Sequence, residues 1–132
     1  MPVYRATTRG LTVLAVPEYL EHESDSARFR YAFAYTIQIE NHGDVSVTLR
    51  NRHWEITNAR GEVEEVNGPG VVGEQPTLNP GEAFRYTSGA MLATDSGIMV
   101  GAYEMEDMNG ETFWIDIPAF SLDAPNRLAQ VH

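Results

Sequence analysis

At 132 residues, 42% of them apolar and 21% charged, the chain has the size of one domain able to bury a core. It has no cysteine, which excludes disulfides, thiol chemistry and cysteine–zinc sites, and no lysine, which excludes Schiff-base chemistry and a P-loop. The net charge of −10 is lopsided: residues 1–61 hold seven acids and seven arginines, whereas residues 62–123 hold twelve acids against Arg85 alone, a field that repels nucleic acid and attracts cations or basic protein surfaces.

Along the chain, "MPVYRATTRG" has no apolar run of signal-peptide type, and no later segment approaches the roughly 18–20 apolar residues that span a bilayer. A cytoplasmic protein without a membrane partner is expected. "LTVLAVPEYL" reads as an early strand, with Pro17 at a sheet edge or bulge, and "EHESDS" reads as a charged loop. In "RFRYAFAYTIQIEN", Phe29, Tyr31, Phe33, Tyr35, Ile37 and Ile39 occupy every second position, the mark of a central strand with one buried face. "NHGD" then turns the chain into "VSVTLR", where Val45, Val47 and Leu49 are apolar. Trp54 and Ile56 follow with the opposite parity, so one extra residue, a β-bulge or a break, is expected within Arg50–His53.

"NARGE" is a turn into the short strand "EVEEV", followed by the glycine-rich "NGPGVVGEQP". "NPGE" signals a turn before the strand "FRYTS". "GIMVGAYEM" and "TFWIDI" flank "EDMNGE", whose Asn109-Gly110 is a strong hairpin signal, and "IPAFSL" continues the last strand past Pro118. Sustained 3.6-residue periodicity is absent. Seven or eight short antiparallel strands imply an all-β sandwich, with a small barrel as the alternative. One domain is expected, with a core over about residues 5–123 and a short flexible tail over 124–132.

Gly68, Gly70 and Gly73 spell GxGxxG. A dinucleotide fingerprint needs a helix to open within that motif, and here Pro76 and "NPGE" follow instead. Turning, not pyrophosphate binding at a helix N-terminus, is therefore the expected role of these glycines, with an amide nest for a small anion as the weaker reading. Val71, Val72 and Leu78 either stand exposed as a contact surface or tuck beneath the sandwich.

Arg28, Arg30, Arg50 and Arg52 would form one anion patch if their strands paired as a hairpin; ordinary pairing with Glu21, Glu23 or Glu55 is the competing expectation. His22 among Glu21, Glu23 and Asp25 offers at most a loose cation site. Glu104, Glu106, Asp107 and Glu111 lack EF-hand spacing, so no dedicated metal site and no cofactor are expected. Ser88, Asp95 and Ser96 have no histidine beside them, and no G-x-S-x-G elbow occurs, so an enzyme is not expected.

The run from Gly68 to Leu122, with GxGVVGExP, LxPGExFxYxSG, "GIMVGAYEM" and "IPAFSL", resembles the ApaG family, as do "FAYTIQIEN" and "LRNRHWEIT" earlier. The resemblance implies a fibronectin type III-like β-sandwich, a link to cobalt resistance and magnesium handling, and a pyrophosphate or nucleotide role for Gly68, Gly70 and Gly73. In eukaryotic members it implies protein interaction. No catalytic residue carries over. The expectation from residues and resemblance together is a non-enzymatic binding module. Its glycine loop (Gly68, Gly70, Val71, Val72, Gly73) and acidic second half meet an unidentified protein partner. A small phosphate-containing ligand or weak divalent cations are the alternatives, and an edge strand could join two copies as a homodimer.

Overall fold

Alternating side chains and bulges together assign each strand its inward face in the computed structural model, which describes residues 2–125. Nine strands follow one another: β1 (Tyr4–Thr8), β2 (Leu11–Tyr19), β3 (Tyr31–Asn41), β4 (Val47–Asn58), β5 (Val63–Pro69), β6 (Thr77–Leu78), β7 (Ala83–Leu92), β8 (Ser96–Asp107) and β9 (Thr112–Asp123). The only helical pieces among the described residues are two 3₁₀ turns, Glu21–Glu23 and Ser26–Arg28. One sheet has the order β1-β2-β3-β7; the other has the order β5-β4-β8-β9, with β6 added to β4. All pairings are antiparallel, and the two sheets form a sandwich. This is the expected fold, with two strands that the sequence signals least: β1 and the two-residue β6. Of the expected tail, only Ala124 and Pro125 are described; the remainder lies outside the described residues.

β3 is central, and Phe33, Tyr35, Ile37 and Ile39 face the core from it. Its start differs from the expectation. Phe29 is exposed in the left-handed region at φ 55°, because Asp25 and Arg30 pair through both backbone N–H groups and close a small loop ahead of the strand. Pro17 lies on β2 beyond Ala15, the last residue that β1 pairs, so its missing N–H falls where β2 is an edge.

The parity change in β4 is a bulge. Leu49 pairs with Met105 and Asn51 with Glu104, leaving Arg50 as the extra residue. Beyond it, Trp54 turns inward and makes edge-on contacts with Tyr35, Tyr103 and Phe120 at centroid distances of 5.3, 6.4 and 5.9 Å. A second bulge lies in β9, where Pro118 and Ala119 together oppose Val100, a position at which proline forfeits no ladder bond. Beneath the aromatic centre the hydroxyls of Tyr86 and Tyr103 bond to each other. No buried side-chain polar atom lacks a partner among the described residues. β9 packs against β1 and β2 and covers one side of the sandwich.

Candidate functional site

The glycine loop grows out of β5 and is fastened to the bulge. The Arg50 carbonyl, freed from the β4–β8 ladder, accepts the Gly70 N–H at 2.8 Å and the Gln75 side-chain amide at 2.9 Å, while the Leu49 N–H donates to the Pro76 carbonyl. Each glycine answers a separate demand. A Cβ on Gly68 would lie 2.9 Å from the guanidinium of Arg52, which crosses that position to donate from Nη1 to the carbonyls of Pro69 and Gly70. A Cβ on Gly70, at φ 61°, would stand 2.2 Å from the Glu74 carbonyl oxygen. Gly73, at φ 81°, closes a two-residue hairpin turn with Val72 at φ 43°, held by reciprocal Val71 and Glu74 backbone bonds. No helix opens here, as the proline and turn residues predicted. The N–H groups of Gly70, Val71 and Glu74 are all used within the fold.

The loop's aliphatic side chains separate. Val71 and Leu78 are buried at 1% and 3% exposure and join the core, whereas Val72 is 54% exposed at the tip. The contact surface expected from all three therefore reduces, within the loop, to Val72.

The four arginines do not assemble. β3 and β4 lie in different sheets, so the hairpin that would gather them does not form. Arg28 pairs with Asp25 at 3.6 Å, Arg50 donates from Nε to Glu106 at 2.6 Å, and Arg52 is held by the loop carbonyls. Arg52, Tyr35, Trp54, Ser88 and Met91 line a groove of about 330 Å³ between β4–β5 and β7.

Burial pushes the Tyr86 and Tyr103 hydroxyls well above their ordinary value, so both are neutral across the physiological range. The His42 hydrogen bond, then that of Gln38, hold Glu40 below the usual carboxylate value. The Asn58 amide, with Arg60, does the same for Glu62.

The outer face of the five-stranded sheet holds what single-strand reasoning missed. Register places Glu55 opposite Glu65 and His53 opposite Asn67 on β4–β5, and Val100 opposite Glu55 and Ala102 opposite His53 on β4–β8. Ile98 and Val100 are exposed at 52% and 45%, Val63 lies exposed on β5, and Trp114 is half exposed on β9 opposite Glu104. A signal existed: Ile98, Met99 and Val100 are consecutive apolar residues, so β8 could not be polar on either face there. The "NARGE" turn likewise fixed the β4–β5 register that brings His53, Glu55 and Glu65 together.

The ApaG domain family model matches residues 21–107. The chain belongs to the ApaG family. Similar proteins include Protein ApaG of Mesorhizobium japonicum, 56% identical over 93% of this chain and 95% of the relative. Protein ApaG of Brucella anthropi is 54% identical over 95% and 96%. Among solved structures, the crystal structure of an ApaA protein from Bordetella pertussis is 45% identical, covers 88% of this chain and 94% of that one, and superposes with a TM-score of 0.85. The all-β sandwich expected from strand pattern and turn chemistry is thus the architecture of a solved relative as well.

Proposed function

We propose that this ApaG-family chain is a non-enzymatic protein-binding module, and that its contact surface is the outer face of the five-stranded sheet. One observation carries the reading. Ile98 and Val100 stand exposed on β8, an interior strand, with exposed Trp114 on neighbouring β9 and exposed Val63 on β5, the edge strand beyond β4. The outward face of an antiparallel sheet is ordinarily polar. Apolar side chains on a rigid central strand cannot fold away, and a tryptophan at their margin is the residue type most enriched in binding hot spots. Glu55, Glu65, Glu104 and Asp116 share this face, so the complementary surface is an apolar patch ringed by arginine or lysine. The acidic second half of the chain supplies most of that rim.

The absence of catalytic duty is supported by the titratable interior. The buried Tyr86–Tyr103 pair is held neutral and satisfied by its mutual bond, which leaves neither hydroxyl as a base. Anion binding by the glycine loop is less favoured, since three of its N–H groups already have backbone acceptors.

The test places a photo-crosslinking residue at Val100 and, separately, at Thr87, which is exposed on β7 of the other sheet. Discrete polypeptide adducts from position 100 alone, diminished by Trp114→Ala in a folded variant, are expected. Equal labelling at both positions, or adducts unaffected by Trp114→Ala, would overturn the reading.

A further inference from the structure

We propose that His53, Glu55 and Glu65 form a binding site for a divalent transition-metal ion of zinc-like chemistry. The inference does not depend on the protein-contact reading. His53 and Glu55, two apart on β4, share the outer face, and Glu65 lies directly across the ladder from Glu55. One ligand atom from each can be chosen so that all three lie within 4.8 Å of one another. Two carboxylates directly opposite on a sheet repel each other, and a cation held between them would relieve that repulsion.

The imidazole shows which kind of cation. Its Nδ1 lies 2.6 Å from the Asn67 side-chain oxygen, which can only accept, so Nδ1 carries a proton and Nε2 is the atom turned to the carboxylates. Nε2 stands 4.0 Å from Glu55 Oε1 and 3.9 Å from Glu65 Oε1. Those separations are too long for N–H···O hydrogen bonds. They fit an intervening ion with metal–nitrogen and metal–oxygen bonds of about 2.0–2.2 Å after a small closing movement of two exposed glutamates. An imidazole oriented by a hydrogen bond at its other nitrogen is the usual outer-shell support of a metal ligand. One nitrogen with two carboxylate oxygens favours borderline ions such as zinc over calcium or magnesium, which take oxygen ligands. His53, held by Asn67, is the more buried member of the set, and the two glutamates are the exposed ones.

The experiment is a titration of the ¹⁵N-labelled, metal-free protein with zinc chloride, followed through the imidazole nitrogens. The expected result is a saturable shift at His53 Nε2 with the Nδ1 proton retained, before the other histidines respond. Glu55→Gln and Glu65→Gln, both on exposed side chains, should each weaken the zinc response at least about tenfold. The proposal is overturned if another histidine responds first, if neither glutamine variant changes the affinity, or if calcium saturates His53 as zinc does.

Discussion

Val72→Asn should stabilise the fold while removing a hydrophobic side chain. Val72 sits at φ 43° in the first central position of the loop hairpin, with Gly73 at φ 81° in the second. A left-handed backbone costs an L-residue about 1–2 kcal/mol, and β-branching narrows its side-chain choices further. Asparagine tolerates this region, so most of that cost disappears. With the valine 54% exposed, the burial forfeited is at most about 1 kcal/mol. The net expectation is a gain of roughly 0.5–1 kcal/mol, or a Tm higher by about 2–5 °C for a domain of this size. Val72→Gly should gain less, because glycine enlarges the unfolded ensemble by about 0.4–1 kcal/mol. Val72→Ile, which keeps the branching, should gain nothing. Urea and thermal unfolding of the three variants decide the matter. An asparagine variant no more stable than the isoleucine variant would refute the strain argument.

Gly70→Ala should cost at least about 2 kcal/mol in urea unfolding, because its Cβ would meet the Glu74 carbonyl oxygen at 2.2 Å in a positive-φ turn. Gly61→Ala, also at positive φ but with open space around it, should cost less, and equal losses would mean that the close approach contributes nothing. Tyr86 and Tyr103 have folded values raised above the unfolded one, so the neutral form favours folding. The stability they lend is complete below the ordinary tyrosine value of 10.0 and falls as pH rises past it. Ultraviolet titration should therefore show two of the six tyrosines ionising only as the protein unfolds, whereas six independent titrations in the folded protein would contradict the buried pair.

What could be read beforehand was what depends on neighbours in sequence. The alternation from Phe33 to Ile39 marked β3, the parity change from Leu49 to Trp54 located the bulge, and Pro76 ruled out a helix after Gly73. The Asn109-Gly110 hairpin formed with a three-residue connection, in which Gly110 alone takes positive φ. β1 escaped notice because its turn uses Arg9 at φ 50° before Gly10, and arginine is not a residue that signals such a conformation. The arginine patch failed for a different reason. Arg28 and Arg30 lie in the small loop ahead of β3 and not on it, and the chain crosses from one sheet to the other between Asn41 and Val47, before β4 brings Arg50 and Arg52. The His53–Glu55–Glu65 cluster depends on cross-strand register, which no single strand contains.

The single surplus residue at position 50 makes the arithmetic of β4 as important as its chemistry. Delete Arg50 while β4 keeps its pairing from Val47 to Leu49, and Asn51 follows Leu49 directly, so the ladder runs on from Met105 to Glu104 without a bulge and Trp54 keeps its inward side. What disappears is the Arg50 carbonyl, which accepts the Gly70 N–H and the Gln75 side-chain amide, together with the Nε bond to Glu106. A one-codon loss would thus spare the strand's inward face and unfasten the glycine loop, whose anchor is a backbone atom that substitutions at the same site would keep.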